Sequence, residues 1–189
     1  TTLLKCITGL HDWKIGETYI DDVPLKKIAD KEMWKRIGYV PQAHKMVFGF
    51  SIEDLVVMGR APYISSLSKP RKKDYEKAHE ALEEVGIAHL AKKSCNEVSG
   101  GELQLALIAR TLVSDPEILI LDDSLSAVDA KTEEAILEAL KHERQNATTI
   151  ITSHRLSAIS HAHLIIVMEE GTVIEKGTHE ELMALRGSY

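Results

Sequence analysis

The sequence predicts an α/β fold with a mainly parallel sheet flanked by helices. Short apolar runs alternate with segments of helical periodicity along the whole chain, and this alternation is typical of helices packed on a parallel sheet. The 189 residues are 44% hydrophobic and 28% charged, a balance that supplies one globular domain with a sizeable core. We therefore expect a single domain over residues 1–189.

Five apolar runs bounded by turn residues are predicted strands. They are Ile37–Val40, Ile118–Leu121, Thr149–Thr152, Leu164–Met168 and Thr172–Glu175. The second and fourth runs are continuous apolar segments, which indicates parallel strands buried on both faces. The last two runs are joined through Glu169-Glu170-Gly171, which predicts a hairpin at the edge of the sheet.

Four helices are predicted from capping residues and apolar stripes. They run from Ser51 to Gly59, over Asp74–Val85, over Glu102–Val113, and from Thr178 through Leu185. Gly86 follows the second as a stop signal, and Ser114-Asp115-Pro116 breaks the chain after the third.

Charge, hydropathy and cysteine content exclude several function classes. The 23 basic and 29 acidic residues are spread along the chain, so no basic stripe is available for nucleic acid. The longest apolar runs fall far below the roughly 18–20 residues that cross a bilayer, so we expect no direct membrane insertion. Cys6 and Cys95 lack metal-type spacing, which favours two free thiols in a reducing compartment.

The strand at Ile118–Leu121 ends in two adjacent carboxylates, Asp122 and Asp123. Consecutive strand residues point in different directions, so one acid can hold a metal ion while the next faces an attacking water. An apolar strand that ends in two acids at a structural turn gives the same pattern. The pair alone does not separate the two interpretations.

A glycine turn, Ser99-Gly100-Gly101-Glu102, precedes the apolar helix that starts near Glu102. Two glycines let a ligand approach the backbone, and a helix start presents N–H donors and partial positive charge to an anion. Ser99 can add a hydroxyl donor. A serine-capped helix after a glycine turn explains the same residues equally well.

The order of the motifs separates these alternatives. Val40-Pro41-Gln42, Ser99–Glu102, Asp122-Asp123, Ser126–Asp129 and His154 follow one another along the chain. This ordered set resembles the ATP-binding cassette (ABC) family over essentially the whole chain. The resemblance implies a P-loop NTPase-like sheet, with an inserted α-helical and signature subdomain at approximately residues 43–115.

The resemblance also implies cofactors and catalytic roles. ATP and Mg²⁺ are the implied cofactors, and the implied magnesium-binding residues are Thr1, Gln42 and Asp122. Gln42 matches the glutamine that links the catalytic core to the helical subdomain. Asp123 matches the base or water-positioning residue, and His154 the switch histidine that contacts the γ-phosphate.

Further residues are implied to bind nucleotide across a dimer. Thr1 and Thr2 match the residues that follow the lysine of the family's phosphate loop, and Ser99, Gly100, Gly101 and Glu102 match its signature motif. Family members form head-to-tail dimers in which the signature of one subunit covers ATP held by the other. Asp129 matches the aspartate at that dimer seam.

Two departures from the family pattern affect the expected activity. The usual residue after the metal-associated aspartate is glutamate, and Asp123 is one methylene shorter, so we expect slow turnover. The phosphate loop GxxxxGK[ST] does not occur in the 189 residues and is expected immediately before Thr1. We therefore expect these residues alone to bind ATP poorly and to fold poorly.

The implied function is that of an ATP-hydrolysing subunit of a membrane transporter. It would act at the cytoplasmic face of the membrane, as a homo- or heterodimer of nucleotide-binding domains bound to transmembrane subunits. The alternative is a non-catalytic truncated or engineered domain with little ATP binding. A chromosome-maintenance ATPase shares these motifs, but the interval between Gln42 and Ser99 is too short for its coiled coil.

The two halves of the chain resemble different branches of the family. The stretch from Tyr39 through Glu102 resembles ATPases of importers for iron chelates and cobalamin. From Ser124 onward the sequence resembles exporter ATPases. These likenesses suggest a chimera joined near Asp122–Ser124.

Overall fold

The computed structural model describes residues 1–41, 49–65, 67–143, 147–185 and 187–189. These form two compact units, Thr1–Thr152 and Ser153–Tyr189. The first unit contains α1 (Thr2–Ile7), β1 (Tyr19–Ile20), β2 (Val23–Pro24), α2 (Asp30–Arg36), β3 (Ile37–Val40), α3 (Ile52–Val57), α4 (Lys72–Glu84), α5 (Gly100–Leu112), β4 (Ile118–Asp122), α6 (Ala130–Glu143) and β5 (Thr148–Thr152). The second contains α7 (Leu156–Ile159), β6 (Ile165–Glu169), β7 (Thr172–Gly177) and α8 (His179–Leu185).

A parallel sheet in the order β3-β4-β5 forms the centre of the first unit, and this confirms the predicted α/β class. Strand β4 lies in the middle and is buried on both faces. Leu119 and Leu121 belong to the core cluster that contains α3, α4 and α5, whereas Ile120 belongs to a second cluster with Leu4 of α1 and Met33 of α2. The strand therefore separates two apolar layers.

The predicted helices α3, α4 and α5 are present, and they pack against one another. The hydroxyl of Ser51 accepts the N–H of Asp54 at 3.1 Å and caps α3. Helix α4 begins at Lys72, earlier than predicted, because the Asp74 carboxylate accepts the N–H of Arg71 at 2.9 Å. This packing supports the inserted helical subdomain at residues 43–115, which remains a prediction.

Gly59 does not end the helical segment that starts at Ser51, so that prediction is wrong. The chain continues from α3 into a 3₁₀ helix over Met58–Tyr63. A Cβ atom at Gly59 would overlap the backbone carbonyl of Arg110 in α5. The glycine therefore permits close packing on α5 rather than stopping a helix.

Helices α1, α2 and α6 were not predicted. Helices α1 and α2 contain only 6 and 7 residues, too few for a periodic apolar stripe. Helix α6 begins after Asp129, whose carboxylate accepts the backbone N–H of Thr132 at 3.1 Å. An aspartate at that position is a strong helix start signal.

The second unit contains the predicted hairpin, with β6 and β7 paired antiparallel. Glu170 and Gly171 connect the strands with φ angles of +46° and +78°, as in hairpin turns with two left-handed residues. The prediction that Leu164–Met168 forms a parallel strand buried on both faces is wrong, because β6 pairs only with β7 and most of its side chains are exposed or half-buried. Thr178 and Glu181 form the predicted capping box of α8.

No helix in the described part of the chain has both the length and the apolar character needed to cross a membrane. Both cysteines are free thiols; Cys95 is buried and Cys6 is half-buried.

A buried ion pair joins the helices of the first unit. The Arg60 guanidinium lies 3.4 Å from the Asp74 carboxylate and also donates to the carbonyl of Val113 at 3.2 Å. Asp74 is 3% exposed. The backbone N–H of Arg71 and, secondarily, the Arg60 guanidinium lower the pKa of Asp74 against the opposing effect of burial.

We expect Asp74→Asn to lower the free energy of unfolding at pH 7 by about 1–3 kcal/mol, because a buried guanidinium loses its charged partner. A carboxyl group with a lowered pKa in the folded state stabilises the protein above its ordinary pKa of about 3.9, and this contribution is lost as the pH falls through the folded-state value. The difference between wild type and variant should therefore shrink in urea titrations repeated near pH 3.5. Asp22→Asn, at an exposed position, is the matched control. Equal losses in both variants at pH 7 would contradict this role of Asp74.

Candidate functional site

Asp122, the last residue of β4, carries a buried carboxylate that is bound by three hydroxyl groups. Its Oδ1 accepts the hydroxyls of Thr1 at 3.0 Å and Thr152 at 3.2 Å. Its Oδ2 accepts the phenol hydroxyl of Tyr39 at 2.8 Å. Asp122 is 2% exposed, so these donors replace the water that a carboxylate otherwise binds.

Strand pairing explains why these residues meet. Tyr39 pairs with Ile120, and Thr152 pairs with Asp122. Ile120 and Asp122 lie two residues apart on β4 and therefore face the same side of the sheet. Thr1 precedes α1, and its hydroxyl donates to Asp122 instead of capping that helix.

The surroundings of Asp122 keep its side chain ionised. Burial tends to raise the pKa of the carboxyl group, but the hydrogen bonds from Tyr39, Thr1 and Thr152 together outweigh it and hold the pKa below its ordinary value. The pKa of Tyr39 is raised, first by burial and then by its hydrogen bond to Asp122. At neutral pH the pair is therefore a phenol that donates to a carboxylate.

The oxygen atoms around Asp122 fit a hard divalent cation such as Mg²⁺. The ionised carboxylate and the Thr1 hydroxyl are oxygen ligands of the type that Mg²⁺ prefers. The Thr1 side chain is 56% exposed, so this side of the carboxylate can be reached from solvent. The described residues contain no group of three or more His, Cys, Asp or Glu placed to hold a metal, and a cation here would need further oxygens from water or phosphate.

Asp123 follows in a left-handed backbone conformation, with φ +48°. Its N–H donates to the backbone oxygen of Thr152 at 3.1 Å and to the Thr152 hydroxyl at 3.0 Å. The Ser126 hydroxyl donates to the Asp123 carbonyl at 2.8 Å. Asp tolerates positive φ better than most residues, and these bonds fix the backbone at the point where the strand ends.

The glycine turn before α5 forms a capping box. The Ser99 hydroxyl accepts the N–H of Glu102 at 3.3 Å, and the Glu102 carboxylate accepts the N–H of Ser99 at 2.7 Å. The Ser99 N–H bond lowers the pKa of Glu102. The serine-capped helix weighed from the sequence is therefore present, and it leaves Gly100 exposed with open space beside it.

Gly101 lies against a second sequence motif. A Cβ atom at Gly101 would stand 3.1 Å from the carbonyl oxygen of Ala127, within the Ser126–Asp129 segment. Asp129 itself is exposed, and both of its carboxylate oxygens accept bonds from Thr132, from the hydroxyl at 2.7 Å and from the N–H at 3.1 Å. The hydroxyl of Thr132 is the main cause of the lowered pKa of Asp129.

The predicted site residues are only partly assembled at Asp122. Thr1 contacts Asp122 directly, and Thr2 is exposed in the first turn of α1. The printed contacts of Ser99, Glu102 and Asp129 are local helix caps rather than contacts with Asp122. A list of the remaining positions completes the comparison: Gln42 lies outside the described residues, and His154 is exposed in the second unit.

Tyr39 and Thr152 contact the candidate metal-binding carboxylate and were not predicted as site residues. Each is a residue with a hydroxyl group at or near the carboxyl end of an apolar strand. The carboxyl ends of parallel strands meet at one edge of the sheet. That rule, applied to β3 and β5 as well as to β4, could have identified both residues.

The family comparison agrees with the motif order. A family model described as "ABC transporter" matches residues 1–126, two thirds of the chain. The chain is 38% identical to a probable multidrug resistance ABC transporter ATP-binding/permease protein, YheI, of Bacillus subtilis, over 100% of this chain and 32% of that protein. It is 33% identical to an uncharacterized ABC transporter ATP-binding protein of Haemophilus influenzae, over 98% of this chain and 71% of that protein.

An importer-named relative and two solved structures are also similar. The molybdate import ATP-binding protein MolC of Haemophilus influenzae is 37% identical over 82% of this chain and 57% of that protein. A bacterial Atm1-family ABC exporter with ATP bound superposes with a TM-score of 0.85 at 28% identity, over 100% of this chain and 33% of that one. A putative metal-chelate type ABC transporter gives 0.78 at 29% identity, over 96% and 68%.

The chain spans about a third of the length of YheI and of the exporter structure. The matches to the family model, to the relatives and to the two structures nevertheless agree with one another. The chain belongs to the ABC transporter family, as an ATP-binding domain.

Proposed function

We propose that this chain binds and hydrolyses ATP to power an ABC transporter through transmembrane subunits, at the cytoplasmic face of the membrane. The observation that carries the proposal is the ionised, buried Asp122 carboxylate at the end of β4, which Thr1, Tyr39 and Thr152 hold by hydrogen bonds. In nucleotide hydrolases, a carboxylate at the end of a buried parallel strand commonly holds the magnesium ion that accompanies the triphosphate.

Thr1 and Asp122 are the proposed magnesium-binding residues among those described, together with Gln42 from outside the described residues. Mg²⁺ neutralises charge on the phosphates when it is bound. The role of the protein is to keep Asp122 anionic and fixed, so that no side chain has to reorganise when the nucleotide arrives.

Asp123 is the proposed base or water-positioning residue. Its backbone is fixed by Thr152 and Ser126, so the reach of the carboxylate is set by the length of the side chain. Because aspartate is one methylene shorter than the glutamate usual in the family, we propose slow turnover at this site. His154 is the proposed contact to the γ-phosphate.

The exposed start of α5 is the proposed binding surface for ATP held by a second nucleotide-binding domain, in a homo- or heterodimer. Gly100 has open space beside it, and a helix start attracts phosphate through its N–H groups and dipole. Gly101 contacts the segment that leads to Asp129. We propose that Asp129 lies at the dimer seam and that the helices α3, α4 and α5 dock on the transmembrane subunits.

The relatives do not select a transported substrate. Their names include a probable multidrug resistance protein and a molybdate import protein. The proposal therefore specifies the energy source and leaves the transported substrate open. The chimera joined near Asp122–Ser124 remains a hypothesis beside it.

A second candidate is a non-catalytic ABC domain. The residue that favours it is Asp123, in place of the family's glutamate. Measurement of phosphate release separates the two candidates.

We expect the protein to release phosphate slowly from ATP when Mg²⁺ is present. Asp123→Glu should raise the turnover by about tenfold to a hundredfold, because the longer side chain brings the carboxylate closer to the attacking water. Asp123→Asn should lower it to background, because the amide cannot accept a proton. The assay is run on the chain as given and on a form preceded by a GxxxxGK segment.

Asp22→Asn, at an exposed position outside the site, is the control for these variants. If Asp123→Glu were as inactive as Asp123→Asn, Asp123 would not occupy the position of the base. If neither form of the wild-type protein released phosphate, the hydrolytic proposal would fail and the non-catalytic candidate would stand.

Gly100→Ala and Gly101→Ala should have different effects. We expect Gly100→Ala to leave the urea midpoint unchanged and to weaken ATP-dependent dimerisation at least about tenfold, or 1.4 kcal/mol, because the added methyl group faces the proposed phosphate. Gly101→Ala should lower the midpoint, because its Cβ crowds the Ala127 carbonyl. Light scattering with ATP, in the Asp123→Asn background, measures dimerisation. Unchanged dimerisation by Gly100→Ala would contradict the proposed surface.

A further inference from the structure

We propose that Tyr39 is a positioning residue that controls how many carboxylate oxygens Asp122 offers to a divalent cation. The inference rests on the proposed function and adds a metal-selectivity role at the same site. Tyr39 donates to Asp122 Oδ2 at 2.8 Å, whereas Thr1 and Thr152 donate to Oδ1 at 3.0 and 3.2 Å. The two oxygens of one carboxylate therefore have different surroundings.

The position of the Tyr39 phenol is set by the core. The half-buried Tyr39 packs against the apolar cluster that contains Ile37 and Ile120, and its backbone is paired in register with β4. A ring fixed in this way has little freedom to withdraw its hydroxyl from Asp122. The hydrogen bond therefore comes with the fold and does not require a side chain to be ordered when ligand binds.

The two sets of donors differ in how easily they can yield to a cation. Thr1 is exposed, and its hydroxyl oxygen is itself a suitable ligand, so a cation at Oδ1 gains this oxygen as well. Tyr39 is a protonated phenol at neutral pH, and a cation at Oδ2 would have to displace its hydrogen bond. Asp122 therefore presents Oδ1 and withholds Oδ2.

Offering one oxygen rather than two discriminates between cations. Ca²⁺ accepts both oxygens of a carboxylate and tolerates flexible coordination, whereas Mg²⁺ is smaller, demands near-octahedral geometry and keeps several waters. A carboxylate limited to Oδ1 therefore favours Mg²⁺ over Ca²⁺. Removal of the Tyr39 hydroxyl should free Oδ2 and reduce this preference.

The test compares Tyr39→Phe with Tyr63→Phe. Tyr63 also donates one hydrogen bond, to the carbonyl of Ser114 at 2.9 Å, so both variants lose the same chemical group and only one loses it at Asp122. Binding of Mn²⁺ in the presence of ATP is followed by electron paramagnetic resonance. Mg²⁺ and Ca²⁺ are then titrated separately as competitors, in the form preceded by a GxxxxGK segment.

We expect the ratio of the Ca²⁺ midpoint to the Mg²⁺ midpoint to fall about fivefold in Tyr39→Phe, which corresponds to one net hydrogen bond of about 1 kcal/mol. The ratio should be unchanged in Tyr63→Phe. An unchanged ratio in Tyr39→Phe, with Mn²⁺ and ATP still bound, would overturn this inference and leave the proposed function intact. Absence of Mn²⁺ binding by the wild-type protein would overturn both.

A second variant guards against misfolding. Tyr39→Met keeps an apolar side chain without a donor, and the same fall in the ratio is expected. Circular dichroism and the urea midpoint establish folding for each variant. Unfolding of both Tyr39 variants would show that the phenol acts through stability and would overturn the selectivity role.

Discussion

The structure of the candidate site depends on a charge placed where water is scarce. The Asp122 carboxylate is 2% exposed, and an uncompensated charge in such a position would be strongly destabilising. Three hydroxyls compensate it, from Thr1 before α1, Tyr39 on β3 and Thr152 on β5. One carboxylate thus links three segments that lie far apart in sequence.

The apolar layers on the two sides of β4 place this carboxylate. Leu119 and Leu121 face the helices α3 to α5, and Ile120 faces α1 and α2. Because side chains alternate along a strand, Asp122 follows Ile120 to the face where Thr1 lies. Helix packing therefore determines which way the charge points, and the hydrogen bonds fix it there.

Local pattern predicted much of the fold but few of the contacts at the site. The strand Ile37–Val40 and the hairpin after Leu164 were predicted, because apolar runs and turn residues are local signals. Tyr39 and Thr152 were missed, because their roles depend on which strands are neighbours, and one sequence does not state that. The same limit explains the wrong assignment of Leu164–Met168, since an apolar run does not reveal whether its partner strand is parallel or antiparallel.

The most direct test of the account is the effect of Mg²⁺ on ATP binding, measured by isothermal titration calorimetry for the wild-type protein and Asp122→Asn, each preceded by a GxxxxGK segment. If the Asp122 carboxylate holds the cation, Mg²⁺ should tighten ATP binding by the wild-type protein and have no such effect on Asp122→Asn. An equal gain in affinity with Mg²⁺ in both proteins would contradict the account.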